Sequence, residues 1–346
     1  MKSLAGLLLL TPIMNYAQNY AVTRAIVDGV DVVRLTDAAR KTEVAVATSI
    51  GNIAYEMKVN GKNAFWTPFA SVGEMKAKPA LAGNPFLAPW ANRLDQDAFF
   101  ANGKKFQLDT AIGNLRRDGH KNPIHGLLLF SPLWRVTSLG ADDRSAWVAS
   151  RLEFARHPEL MAQFPFAHTY EMTYRLAGGV LEVDTAVENH ASEAMPLAIG
   201  YHPYFQVHDA PRDDWKVRIA ARDRMQLSPA LIPTGERRPV ESADVKLATT
   251  QLDDVFTGLV RGTDGRAEFW VEGRSERVTV TYGPKYTVAV IYAPPGRGFI
   301  CFEPMTAITN AFNLAHAGVY KELQSVPAGG QWRESFWISV RPAASR

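Results

Sequence analysis

The sequence predicts an all-β protein, a large antiparallel β-sandwich with few short helices. Three observations carry that expectation. Apolar residues recur at period two in many short runs. Gly and Asn turn signals separate those runs. Scarcely any long segment repeats at the helical period of 3.6, and no βαβ rhythm is present. A chain of 346 residues, 47% of them hydrophobic, is long enough for a real core, and no low-complexity linker divides it. One sandwich domain over residues 18–346 is therefore expected.

From Tyr20 onward the elements follow in order. Segments 43–48 and 53–59 read as strands, with Asn60-Gly61 turning the chain before Phe65 and Trp66. Two prolines forbid regular structure in 82–94, which reads as a loop carrying Arg93 among small and apolar neighbours. Asn102-Gly103 turns into 105–109, and the polar stretch 113–122 leads to His125 on a second loop. Strands are expected at 133–138 and 146–154, and a short helix at 157–163. The clearest unit is a hairpin over 169–188, in which Tyr170, Met172, Tyr174 and Leu176 share one face before the turn at Ala177-Gly178-Gly179. It delivers the chain to Ile199-Gly-Tyr-His-Pro-Tyr-Phe205, where one imidazole, His202, stands among aromatic rings. An unperturbed pKa of ~6.5 lets such a group give and accept protons near neutrality.

Further on, 215–220 reads as a strand and 227–239 as a proline-marked stretch. Asp253 and Asp254, ahead of Phe256, read in isolation as a solvated turn. Strands resume at 267–271, 277–282, 286–292 and 299–302. Glu303 leaves the last of these on the face of Cys301, opposite Ile300 and Phe302, and a carboxylate beside buried surface takes a raised pKa or a specific partner. The chain closes with Trp332, Glu334, Phe336, Ile338 and Val340 alternating against Arg333, Ser335, Trp337 and Ser339.

Composition narrows the function classes. The formal charge of +3 is spread without a Lys/Arg block, which argues against nucleic acid as a partner. Cys301 is the sole cysteine, so an internal disulfide and a multi-thiolate metal site are excluded. His-x-His, HExxH, EF-hand, phosphate-loop and Gly-x-Ser-x-Gly patterns are all absent, and no metal or organic cofactor is expected. At the start of the chain, Lys2, the apolar run 4–14 and Ala17 follow signal-peptide grammar over 1–17, which places the mature protein in a periplasm or outside the cell. Pro12, Asn15 and the single lysine depart from that grammar. An ordinary first strand or a misassigned start, in a cytoplasmic protein, is the alternative. No other segment approaches the ~20 apolar residues of a membrane span, so no stable membrane insertion is expected once the leader is removed.

What remains is a scattered polar set: Arg93, His125, His202, Asp253 and Glu303. Its context is Ala-Asn-Arg-Leu (91–94), Ile-His-Gly (124–126), Tyr-His-Pro-Tyr-Phe (201–205), Asp-Asp-Val-Phe (253–256) and Phe-Glu-Pro (302–304) followed by Asn310. These motifs, in this order on an all-β chain, resemble the aldose 1-epimerase family, the galactose mutarotases, from about residue 40 to the end. The resemblance implies a β-sandwich with a concave sugar site. Glu303 matches the family's base and His202 its acid, while Arg93, His125 and Asp253 match the groups that hold the sugar hydroxyls. Asp254 competes with Asp253, because one residue of register decides which side chain faces the site. Two departures mark a divergent bacterial branch: His125 is followed by Gly-Leu-Leu where a second Gly is usual, and Glu303 by Pro-Met in place of Thr-Gln.

The activity this resemblance implies is exchange of the α and β anomers of a free aldohexose. Glu303 would take the proton of the anomeric hydroxyl while His202 protonates the ring oxygen, and reclosure would reverse both transfers. Three alternatives stand beside it. The same groups suit a non-catalytic carbohydrate-binding protein. A cytoplasmic chain would suit a hexose 6-phosphate, with Arg93, Arg116 or Arg117 on the phosphate. Glu303 and Asp253 as paired carboxylates would suit a glycosidase or lyase.

Overall fold

The computed structural model describes residues 19–343 and the backbone of Asn15–Tyr16. The leader reading of 1–17 thus lies, apart from that backbone pair, outside the described residues. Among the described residues the named strands pair antiparallel, as the period-two pattern predicts. A six-stranded sheet holds the N-terminal strands in chain order up to Lys62–Asn63. A nine-stranded sheet is built around the hairpin His168–Ala177 and Val180–Asn189, flanked by Ala146–Glu153 on one side and Gln331–Pro342 on the other. An eight-stranded sheet runs Pro233–Pro239, Ala221–Leu227, Leu252–Leu259, Val288–Ala293, Ile300–Met305, Gly200–Tyr201 and Phe86–Leu87, and Tyr204–Phe205 also pairs with Ile300–Met305.

The larger two sheets share a core. Phe302 from the eight-stranded sheet meets Phe269 of the nine-stranded one at 6.3 Å between ring centroids, and Tyr201 meets Phe336 at 4.8 Å. Tyr201 also shares a 2.5 Å hydrogen bond with Thr185, two buried hydroxyls that satisfy each other across the sandwich. The six-stranded sheet joins at Tyr174, whose hydroxyl donates to the Asn52 carbonyl at 2.9 Å.

Several local expectations change. Residues 252–258 are not a solvated turn but part of the strand Leu252–Leu259. Leu252, Val255 and Phe256 are buried there, and Asp254 reaches Arg224 at 3.6 Å, so the two acids sit within a paired strand. The proline-bearing loop 82–94 contains a two-residue strand, Phe86–Leu87, because the residues between Pro85 and Pro89 are free to pair with Gly200–Tyr201. The helix expected over 157–163 is the single turn Pro158–Met161. Two further short helices, Val72–Ala77 and Ala311–His316, are too short to declare a helical period.

Candidate active site

Register sets one wall of the site. Along Ile300–Met305, Ile300 and Phe302 turn to the shared core, which leaves Cys301 and Glu303 on the opposite face. Val290 lies across from Glu303, Tyr292 across from Cys301, and Asp253 across from Tyr292. Asp253 therefore shares a face with Glu303, while Asp254 points the other way to Arg224. That resolves the choice between the two acids in favour of Asp253.

His202 is placed by a close backbone approach. Gly200 pairs with both Met305 and Leu87, and a Cβ there would lie 2.8 Å from Met305 Cγ and 2.9 Å from the Pro304 carbonyl oxygen. Only glycine lets this segment lie against Ile300–Met305. Two residues on, the His202 amide donates to the Pro85 carbonyl at 3.0 Å. The imidazole stacks on Tyr204, 4.7 Å between centroids and 3° from parallel, and meets His125 edge-on at 5.5 Å. Its Nε2 lies 3.4 Å from Glu303 Oε1.

Arg93 and His125 come from two loops knitted together. Leu94 donates to the Pro123 carbonyl at 2.9 Å, His125 to the Asn92 carbonyl at 2.9 Å, and Arg93 bridges Ile124. Asn92 and His125 both adopt left-handed backbone, with φ of 59° and 63°. Gly126 follows with φ of 63° and packs so tightly that a Cβ would lie 2.2 Å from the Ala88 carbonyl oxygen. The Arg93 guanidinium donates through Nε to Asp118 at 2.7 Å and through Nη1 to Asn92 at 2.9 Å. Asn310 does not line the cleft. It supports the Arg93 loop, donating its amide to the Arg93 carbonyl at 2.9 Å and accepting the Asp95 amide at 3.2 Å.

All five residues singled out in the sequence, Arg93, His125, His202, Asp253 and Glu303, line one cleft of about 220 Å³, together with Asn92, Ile124, Leu81, Tyr204, Val290 and Tyr292. Its electrostatics follow from burial. Glu303 and His202 are 2% and 6% exposed. Burial, with Asp253 adding and Arg93 opposing, holds the Glu303 carboxyl well above the ordinary carboxylate range. Burial, reinforced by the charge of Arg93, pulls His202 down to about 3. His125 is pulled well down by burial and then by His202, Arg93 and Arg116. Asp253, exposed at the mouth, is still raised by desolvation against the cleft wall, with Arg93 opposing. Three buried polar atoms, Nδ1 of His125, Nδ1 of His202 and Oε2 of Glu303, have no hydrogen-bond partner among the described residues. Unpartnered buried polar atoms are costly in a folded protein, and their concentration here suits a site built to receive a polar ligand.

Chemically, the cleft offers a carboxyl and an imidazole in contact, a guanidinium, a second imidazole and a second carboxylate. It suits proton transfer on a small polyhydroxylated molecule. The family model for aldose 1-epimerase matches residues 31–339. The chain belongs to the aldose 1-epimerase family. Among solved structures, a galactose mutarotase-like protein from Clostridium acetobutylicum superposes with a TM-score of 0.83 at 21% identity, covering 94% of this chain and all of that one. That likeness speaks to the fold. The uncharacterized protein YihR of Escherichia coli (strain K12) is 23% identical over 236 residues, 66% of this chain and 70% of its own. Porcine galactose mutarotase is 31% identical over 161 residues, 44% of this chain and 41% of its own. The match to the porcine galactose mutarotase thus spans less than half of either chain.

Asn92 and Tyr292 also line the cleft and Asp118 holds Arg93 from beside it, and none of the three is among the residues the sequence singles out. Asn92 stands inside the Ala-Asn-Arg-Leu motif and was within reach. Tyr292 reads only as a strand residue until its neighbour across the sheet is known. Asp118 sits in an irregular polar stretch, 25 residues from its partner, and carries no local signal.

Proposed function

We propose that this protein is an aldose 1-epimerase that exchanges the α and β anomers of a free aldohexose, with Glu303 and His202 as the proton-transfer pair. The observation that carries the reading is the 3.4 Å contact between these two buried groups inside a cleft that Arg93, His125 and Asp253 also line. In the reactive arrangement Glu303 is a carboxylate and His202 an imidazolium. Glu303 takes the proton from O1 as the C1–O5 bond breaks, C1 becomes the aldehyde, and His202 gives its proton to O5. Rotation about C1–C2 and reclosure return both protons and invert the anomeric centre. Burial favours the neutral pair, carboxylic acid and imidazole, before sugar binds. Moving one proton from Glu303 to His202 gives the reactive pair without uptake of another. The cleft volume, below the ~300–1,000 Å³ of drug-sized sites, suits one sugar ring rather than an oligosaccharide.

Arg93, His125 and Asp253 would hold the hydroxyls. The leader-like 1–17 supports action outside the cytoplasm, on free rather than phosphorylated sugar; N-terminal sequencing of the native protein should find Met1 absent, and an intact Met1 would contradict export. Freshly dissolved α-galactose and α-glucose should mutarotate faster with the protein, read by polarimetry. Glu303→Gln and His202→Asn should each slow exchange by ~10²–10⁴-fold while sugar still binds. Arg93→Ala should also weaken binding. Near-normal exchange, measured by NMR saturation transfer, in either folded variant of the acid and base pair would refute the assignment; sugar binding without exchange in the wild type would identify a binding protein instead.

A further inference from the structure

Arg93 is the one Lys or Arg side chain lining the cleft among the described residues, and it is already engaged. Asp118, with its side chain 7% exposed, takes Nε at 2.7 Å through Oδ2. Its other oxygen accepts the amides of His120 and Asn122, both at 2.9 Å, so the carboxylate is fixed by its own turn before it meets the guanidinium. Burial pushes Asp118 up, but the Arg93 hydrogen bond and the amides of Asn122 and His120 outweigh it and hold the carboxyl below its usual range. Nη1 goes to Asn92, which leaves Nη2 without a protein partner among the described residues. The turn that carries Asp118 runs directly into Pro123-Ile124-His125, whose backbone bonds to residues 92–94. The two arginines nearest in sequence lie outside the cleft: Arg117 is bound to Asp97 and to the Lys121 carbonyl, and Arg116 lies over the Phe130 ring.

We infer that Asp118 is a positioning residue with two effects: it presents one edge of the Arg93 guanidinium to the ligand, and by matching that charge it makes the cleft a poor site for anions. A carboxylate bound to Nε leaves Arg93 able to donate to a hydroxyl, while the pair as a whole carries no net charge for a phosphate to neutralise. The inference rests on the cleft being the sugar site, and it gives the free-sugar preference a residue.

The test uses the full chain as wild type, Asp118→Asn and Asp118→Ala, with inorganic phosphate and galactose as probes. Asparagine keeps an oxygen for Nε but removes the charge, so calorimetric titration should show phosphate binding to Asp118→Asn about tenfold more tightly than to wild type, the scale of one positive charge left unmatched. Asp118→Ala frees the guanidinium to rotate. Its galactose KM should rise about tenfold with a smaller change in kcat, and Asp118→Asn should recover part of that KM. Equal phosphate affinity in wild type and Asp118→Asn would overturn the charge-matching role, and an unchanged KM in Asp118→Ala the positioning role. Should the variants not fold, the wild type decides: phosphate failing to compete with galactose supports the inference, and phosphate binding more tightly than galactose overturns it. Phosphate titration needs no turnover, so a wild type that binds but does not exchange sugar would refute the epimerase reading separately.

Discussion

Glu303 is buried to 2% exposure, faces the charge of Asp253 and touches His202, and the first two of these favour its protonated form. The unfolded chain releases that proton near the ordinary ~4.3, whereas the folded protein keeps it to higher pH. Between those two values the native state binds more protons than the unfolded one. Stability therefore falls as pH rises, by up to about 1.4 kcal/mol per pH unit. His202 has the opposite slope: its folded pKa of about 3 lies below the unfolded ~6.5, so its contribution is lost as pH falls through that window. Glu303→Gln cannot titrate, and its melting temperature relative to wild type should climb between pH 4 and pH 8. A constant difference across that range would show that Glu303 is ionised in the native protein. His202→Asn should gain on the acid side instead. Both expected gains have the same origin, since an ionisable group held in a buried place reduces stability where it stands.

Among the elements, the glycine-bounded loops set the precision of the site. Gly126 combines φ of 63° with a carbonyl oxygen 2.2 Å from where a Cβ would sit, so Gly126→Ala must move the loop that carries His125. The expected cost exceeds ~2 kcal/mol, read by urea unfolding, with sugar affinity falling as well. Unchanged stability would mean that the loop relaxes freely. Legibility also divides at this scale. The hairpin His168–Ala177 with Val180–Asn189 was readable because it alternates cleanly between a buried and a half-exposed face. Leu252–Leu259 was not, since two adjacent acids break the apolar alternation: Asp253 opens onto the cleft and Asp254 is paired with Arg224 of a neighbouring strand. Candidate residues could be named from short motifs, but the choice of Asp253 over Asp254 needed the register against Val288–Ala293. The bond between Arg93 and Asp118 joins two irregular segments, where no period exists to be read.

For the molecule as a whole, the sandwich ties the site to its distant sheet through Tyr201, one residue before His202. Tyr201→Phe leaves the ring packing on Phe86 and Phe336 but strips the partner from buried Thr185, and it should cost about 1–3 kcal/mol by denaturant unfolding. No loss would mean that Thr185 finds another acceptor or donor, with Tyr286 the neighbouring candidate. The five cleft groups come from positions 93 to 303, on two loops, on the link between Gly200–Tyr201 and Tyr204–Phe205, and on two non-adjacent strands of one sheet, so their assembly depends on pairings between segments far apart in sequence. Such contacts form late because long loops must close first. The proposed anomer exchange would then be a clock for the completion of folding: in a refolding experiment, β-structure monitored by circular dichroism should return first, and mutarotation should rise above its spontaneous rate only after the strand bearing Glu303 has docked beside His202.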